Sequence, residues 1–235
     1  MDSLIEFAEG PLFRLTFAIM ALGLIRLFFL TIYNGLEAKS KGTDKNIPLP
    51  YVRKLTFGFL FPIRSLRVKP IYSIISIIFH IGLIITPLLL FDHILLVDNA
   101  ISVSWFGIAL PKNWADILTL VTIGTALLLL IIRISNKPIR AISRKQEYFW
   151  LVLLMMPFIT GYICSNMATS PAAYDGFILV HMLSGELIFL LLPFTKLAHC
   201  VLMPFSQWIT ARSWKFPAGA GEKIRITLGR EGDKV

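Results

Sequence analysis

The 235-residue chain is strongly apolar, with 56% hydrophobic and only 16% charged residues and a mean hydropathy of +0.72. Soluble domains carry about 25% charged residues, so a soluble core cannot absorb this much apolar surface. The formal net charge of +9 does not indicate nucleic-acid binding, because the basic residues are concentrated in particular connections and in the C-terminal tail. The two cysteines, Cys164 and Cys200, are far apart and inside apolar segments, which excludes a disulfide framework and an iron–sulfur ligand set.

Five apolar segments are long enough to cross about 30 Å of hydrocarbon at about 1.5 Å per residue. We therefore predict an all-α integral membrane protein built as a five-transmembrane-helix bundle. The first span is expected to stay in the mature protein, because the acidic start MDSLIEFAEG lacks the basic region of a cleavable signal. A basic tail at 210–235 follows the spans, which are predicted at 11–33, 71–97, 114–134, 148–167 and 177–209.

The connections between the spans differ in positive charge, and this difference predicts the orientation of the chain. The loop after the third span and the tail are basic, whereas the second and fourth connections contain Lys112 alone. We predict an outside N-terminus and a cytoplasmic C-terminus in the cell inner membrane, with loop 37–70 and the tail docking a cytoplasmic subunit. That loop holds eight basic residues: Lys39, Lys41, Lys45, Arg53, Lys54, Arg64, Arg67 and Lys69.

All four histidines of the chain lie within predicted spans, His80 and His93 in the second and His181 and His199 in the fifth. Ionisable residues are costly in lipid and are kept mainly where they pair, line a pathway or bind something. Neutral imidazole is an axial ligand of heme iron, and a heme between antiparallel helices needs one histidine from each at matching depth. We therefore predict two hemes, held by His93 with His181 near the outer face and by His80 with His199 near the inner face.

The spacing of the histidines fits this arrangement better in the fifth span than in the second. His181 and His199 are eighteen residues apart, which places them on one face of a continuous helix about 27 Å apart. His80 and His93 are thirteen residues apart, which gives about 20 Å and a rotation of about 140°. Kinks are expected to re-aim one end of each helix, because a proline lies between each pair, namely Pro87 and Pro193.

Charged residues near the proposed hemes are candidates for binding and proton transfer. Lys196 lies one turn before His199, and Arg14 and Arg26 are embedded in the first span; each is placed to bind an anionic heme propionate. Snorkelling to the interface is the alternative for the two arginines. Asp92 and Glu186 are the candidates to carry protons for quinone chemistry near the outer heme.

With these features, the chain resembles the gamma subunit of respiratory nitrate reductase and its relatives, the membrane cytochrome b subunits of heterodisulfide-reductase-like and sulfate-reducer transmembrane complexes. The resemblance rests on five spans with an outside N-terminus, on FHIGLIITPLLLFDH in the second span and on HMLSGELIFLLLPFTKLAH in the fifth. The second-span histidines are more widely spaced than in the nitrate reductase subunit, and the first loop is longer and more basic. The chain therefore looks closer to the sulfate-reducer subunits.

The resemblance implies a diheme b-type cytochrome with two heme b groups stacked across the membrane and the four histidines as their ligands. It also implies a site for menaquinone or another quinone near the outer heme. Electrons would pass at the cytoplasmic face to an iron–sulfur, heterodisulfide-reductase-like or other oxidoreductase subunit. Further membrane or periplasmic cytochrome subunits are additional expected partners.

Two interpretations from other classes remain open at this stage. A small-solute or proton transporter subunit would use the intramembrane histidine, glutamate and lysine residues as an ion path, although the sequence shows no inverted repeat and no broken-helix signal. A heme-free membrane anchor would dock soluble subunits through its basic loop and tail, but it gives no reason for four intramembrane histidines.

Overall fold

The computed structural model describes residues 1–41, 63–102, 108–213 and 219–227, together with residues 229 and 231. Regular structure in these ranges is helical, and one isolated bridge joins Leu90 and Leu110. The long first helix contains a wider π turn at Ala8–Leu12. In chain order the helices are α1 (Asp2–Lys41), α2 (Ile63–Val68), α3 (Pro70–Leu89), α4 (Phe91–Ile101), α5 (Lys112–Ser135), α6 (Lys137–Ile142), α7 (Lys145–Asn166), α8 (Pro171–Leu191), α9 (His199–Ser213) and α10 (Ala220–Thr227).

Five helical stretches of the described chain are long and apolar enough to cross a membrane. They are α1, α3, α5, α7 and Pro171–Phe194, which is α8 with a short 3-10 turn added. The predicted all-α class is thereby confirmed for the described residues, and so is the number of helices long and apolar enough to span a membrane. The orientation stays a prediction. The third and fourth spans begin and end within three residues of their predicted limits.

The first span is longer than predicted, because α1 continues beyond 11–33 at both ends. Its π turn contains Pro11, which has no N–H to donate to the regular helical ladder. The second span is shorter than predicted: α3 ends at Leu89, Leu90 is extended, and α4 begins at Phe91. His80 and His93 therefore lie on two separate helices.

The fifth span differs most from its prediction of one stretch over 177–209. Two 3-10 turns, Leu192–Phe194 and Lys196–Ala198, separate α8 from α9. Pro193 lies in the first of these turns, where its missing N–H and fixed φ oppose continuation of the α-helix. The assumption of a continuous helix between His181 and His199 therefore does not hold.

The chain divides into two compact units. One unit comprises Met1–Ile19 and Lys69–Leu191, and the other comprises Met20–Val68 and Leu192–Val235. In the first unit, α3, α5 and α7 share a core of Phe79, Ala126, Leu129, Leu151 and Met155. This core joins α3 and α7, whose carbonyl groups orient His93 and His181, through α5.

Close approach of α3 to α5 depends on a glycine. A Cβ atom built on Gly82 would overlap the Oγ1 atom of Thr122, and it would lie 3.2 Å from the backbone oxygen of Leu118. Thr122 is buried and donates its hydroxyl to the same Leu118 oxygen at 2.6 Å. Small residues allow such close packing between membrane helices. Within lipid the hydrophobic effect does not drive helices together, so close van der Waals contact contributes more to their association.

In the second unit, the later part of α1 packs against the residues that follow α8. A Cβ on Gly23 would lie 2.6 Å from the Cβ atom of Pro193. The rings of Phe28 and Phe205 meet edge to face with centroids 4.7 Å apart. The 3-10 segment that follows α8 thus belongs to this unit.

Candidate functional site

His93 and His181, the predicted outer pair, face one another within the first unit. Their ring centroids are 5.8 Å apart and their planes are within 25° of parallel. His93 lies on α4, one turn after the break at Leu90, and His181 lies near the middle of α8. The structure therefore brings together the two side chains that the sequence predicted as partners.

The break after α3 positions His93. Carbonyl groups in the last turn of a helix have no intrahelical partner, and His93 uses one of them: its Nδ1 atom lies 3.0 Å from the backbone oxygen of Pro87. A carbonyl oxygen only accepts, so Nδ1 carries the proton and donates it. A kink was expected at Pro87; in the structure the helix ends two residues later, at Leu89. The carbonyl group of Pro87 then orients the imidazole of His93.

His181 is positioned by α7 across the helix interface. Its Nδ1 atom donates to the backbone oxygen of Pro157 at 2.8 Å. Gly161 lies one turn further along α7, and a Cβ at this position would lie 2.9 Å from Cε1 and 3.0 Å from Nδ1 of His181. The absence of a side chain at Gly161 therefore makes room for the imidazole against the α7 backbone.

The two remaining histidines show the same bonding pattern. Nδ1 of His80 lies 2.6 Å from the backbone oxygen of Ser76, one turn earlier in α3. Nδ1 of His199 lies 2.7 Å from the backbone oxygen of Lys196, in the 3-10 turn that precedes α9. His80 belongs to the first unit and His199 to the second, so the inner pairing remains a prediction.

In all four histidines, a main-chain carbonyl accepts the Nδ1 proton. In a neutral imidazole this leaves the lone pair on Nε2, the nitrogen that can bind a metal. Metal-binding histidines almost always donate their other N–H to a carbonyl, a carboxylate or water, which fixes the ring and its tautomer. The described residues contain no cluster of three or more His, Cys, Asp or Glu side chains suited to a metal ion, so ligation would be by pairs.

The predicted propionate-binding cations all lie at exposed positions. Arg14 and Arg26 are exposed on α1, with no hydrogen bond or ion pair to any described residue. Lys196 is exposed beside His199, and its backbone oxygen is the acceptor for that histidine. Arg14 belongs to the first unit, and Arg26 and Lys196 belong to the second.

The two predicted proton carriers have opposite environments. Asp92 is exposed in the first turn of α4, directly before His93. Glu186 is 5% exposed on α8, and its Oε2 atom has no hydrogen-bond partner among the described residues. A buried carboxyl group without a full set of partners is costly, so Glu186 is the less ordinary of the two positions.

The sequence interpretation did not include Pro157 or Gly161, the two residues of α7 that orient His181. Their signal is present but weak: a proline and a glycine four residues apart within an apolar span. Residues at this spacing share one helix face. Nothing in the sequence indicates which neighbouring helix that face contacts.

No protein-family model matches the chain. The chain is 33% identical over 146 residues to a curated protein of Nitratidesulfovibrio vulgaris, whose printed name states no activity. The match covers 61% of this chain and 61% of that protein, so the chain spans less than two thirds of its relative. No solved structure matches.

Proposed function

We propose that the chain is a diheme b-type cytochrome subunit of a respiratory oxidoreductase complex in the cell inner membrane. It transfers electrons between the membrane quinone pool and a cytoplasmic iron–sulfur partner subunit. The observation that carries the proposal is the shared state of the four histidines, each of which donates Nδ1–H to a main-chain carbonyl. A heme-free anchor or a transporter would not require the same tautomer at all four positions.

The outer pair fits a heme iron in spacing. Two imidazoles that would share one metal ion, with bonds of about 2 Å, would have ring centroids up to about 6 Å apart. His93 and His181 are separated by 5.8 Å. When bound, the heme iron supplies one-electron transfer. In this proposal the chain offers the Nε2 atoms of His93 and His181 to the iron. Hydrogen bonds from the two Nδ1 atoms to backbone oxygens hold the rings in place.

The inner heme is assigned to His80 and His199. Both rings are exposed in the structure and have Nδ1 engaged by a carbonyl. Lys196, Arg14 and Arg26 are the proposed partners of the propionates, because their cationic groups can form charge-assisted hydrogen bonds with carboxylates. Two hemes at different depths would carry electrons across the membrane.

Quinone oxidation or reduction is assigned to the outer side, beside His93 and His181. Quinone headgroups need an electron carrier and a protonatable group close together, and Asp92 or, less directly, Glu186 would supply the latter. Quinol oxidation there would release protons outside while electrons move inward, which makes the step electrogenic. The partner subunit would dock on loop 37–70 and the tail after residue 210; residues 42–62 of that loop lie outside the described residues.

The test is a heme count on the complex purified from membranes. A pyridine hemochrome assay should give two heme b per chain in the wild type, one in His93→Ala and one in His199→Ala. The spectra of the two variants should add up to the wild-type spectrum, because the pairs share no ligand. Lys137→Ala, which alters an exposed residue of α6, serves as the control and should keep both hemes. A folded wild-type complex without heme would refute the proposal.

A further inference from the structure

A polar cleft lies in the first unit, at the end of the bundle where α3 and α7 begin and α5 ends. Its volume is about 200 Å³, and its polar lining consists of Lys69, Tyr72, Arg133, Ser143 and Glu147. The histidines and the proposed proton carriers do not line it. We propose that this cleft binds the phosphate group of an anionic ligand.

The central feature of the cleft is the incompletely bonded guanidinium group of Arg133. Its Nη1 atom donates to the hydroxyl of Ser143 at 3.0 Å. Its Nε atom is buried and has no acceptor among the described residues. A guanidinium group has five N–H donors in a planar fork that matches phosphate oxygens. The protein thus satisfies only part of this group. Nε is enclosed by protein, and the outer nitrogens of the guanidinium are the ones available to an acceptor in the cleft that Arg133 lines.

Ser143 is held in place to support Arg133. Its hydroxyl donates to the backbone oxygen of Ile139 at 2.8 Å while it accepts from Arg133. The short helix α6 is itself fixed at its start, because the side chain of Asn136 accepts from the Ile139 N–H at 3.1 Å. The segment after α5 therefore orients the arginine at the cleft rather than leaving it to extend into solvent.

The charge of the cleft favours an anion. Lys69 and Arg133 contribute two positive charges, and Glu147 contributes one negative charge. The cleft also lies beside the first turns of α3 and α7, where no side chain caps the helix. The first N–H groups and the dipole at such ends add positive potential.

The position of the cleft between membrane helices suits a phospholipid headgroup. It lies at the end of the bundle that carries the basic residues of α6 and its flanks, which we expect to face the cytoplasm. Basic pockets between transmembrane helices on this side bind anionic headgroups. A soluble phosphate has the same recognition chemistry, and the experiment below distinguishes the two sources.

The test uses the full-length chain, purified and stripped of lipid in an uncharged detergent. Binding of dihexanoyl phosphatidylglycerol, dihexanoyl phosphatidylcholine and inorganic phosphate is measured by native mass spectrometry, with competition between phosphate and each lipid. We expect one saturable phosphatidylglycerol per chain and weaker binding of phosphatidylcholine, whose headgroup has no net charge. Displacement of the lipid by inorganic phosphate at equal concentration would support the same site with a soluble phosphate as its ligand.

Two variants test the cleft, and a third is the matched control. Arg133→Gln should weaken phosphatidylglycerol binding about tenfold or more, since hydrogen bonds to charged groups are among the stronger ones. Lys69→Gln should also weaken it; Lys69 is exposed, so this variant remains informative if Arg133→Gln does not fold. Lys137→Gln removes a nearby exposed charge that does not line the cleft and should bind as the wild type does. Unchanged binding in folded Lys69→Gln and Arg133→Gln, or equal weakening in Lys137→Gln, would overturn the proposal.

Discussion

Substitution of Gly161 by alanine tests the assignment of the outer pair without altering either proposed ligand. The added Cβ would lie 2.9 Å from Cε1 of His181. Ordinary contacts begin near 3.4 Å, so the imidazole must retreat by about 0.5 Å or α7 must shift by as much. Either movement strains the 2.8 Å hydrogen bond between His181 and the oxygen of Pro157.

The expected effect is on heme retention at the outer pair. Disturbing the group that orients a metal-binding histidine typically costs 10–100-fold in metal affinity, an order-of-magnitude figure that applies here to His181. We therefore expect Gly161→Ala to weaken binding of the outer heme by about 10–100-fold. The inner heme should remain, because Gly161 contacts only His181 among the four histidines.

The assay is a reduced-minus-oxidised spectrum with a redox titration of the complex in membranes. Gly161→Ala should lose up to half of its heme b absorbance, and the heme that is lost should be the one removed by His93→Ala. Gly185→Ala is the matched control, because Gly185 lies on α8, the helix that carries His181, and a Cβ there meets nothing within 4 Å. It should keep both hemes, and its helix should be slightly more stable than with glycine.

Two hemes in folded Gly161→Ala, with spectra and midpoint potentials equal to those of the wild type, would refute the assignment of His93 and His181 as a heme-binding pair. Loss of the heme assigned to His199 while the outer heme survives would refute it as well. Loss of both hemes in a protein that elutes as an aggregate would reflect misfolding.

Two further predictions concern quinone chemistry and helix packing. In stopped-flow measurements on membranes, Asp92→Asn should slow heme reduction or reoxidation by quinone, while both heme spectra stay nearly unchanged. Unaltered kinetics, together with a quinone analogue that perturbs only the inner heme, would instead place the quinone site on the cytoplasmic side. Gly82→Ala should lower stability by about 1–3 kcal/mol through overpacking against Thr122. The measurement is thermal unfolding in detergent, in which the double variant Gly82→Ala/Thr122→Ala should recover much of the lost stability. The control Gly124→Ala should lose no stability, because a Cβ there meets nothing within 4 Å. Equal stability of the single variants at positions 82 and 124 would contradict the packing argument.

The number and type of the spans could be predicted because hydropathy and length alone decide them. The third and fourth spans contain no break, and their limits were predicted within three residues. The second and fifth were predicted too long, because their apolar composition continues through Leu90 and through Leu192–Ala198 while the helix does not. A hydropathy pattern reports the environment of a segment, and it contains little information on where the backbone changes conformation.

The contact between His93 and His181 could be predicted because chain order decides which ends of antiparallel helices lie side by side. The orientation of the two rings could not be predicted, because it depends on which carbonyl oxygens can accept the Nδ1 proton, either at a helix end or beside a glycine. Pro87 was expected to kink a helix, and its free carbonyl was not foreseen as the partner of His93. The partner of His181 is on α7, a contact that only the packing of α7 against α8 establishes.

The acceptors of the four Nδ1 protons are main-chain atoms, and this limits how mutation can act on the proposed ligands. A side-chain acceptor such as aspartate can be deleted by one codon change, whereas the oxygen of Ser76, Pro87, Pro157 or Lys196 is present whichever residue occupies that position. Substitution can only displace it by changing the path of the backbone. A carbonyl is also uncharged, so each imidazole is oriented without adding a negative charge beside it. Substitution of the residues that supply these four oxygens should therefore leave ring orientation and proton position unchanged, provided that the backbone path is kept and the space beside the ring, as at Gly161, stays open.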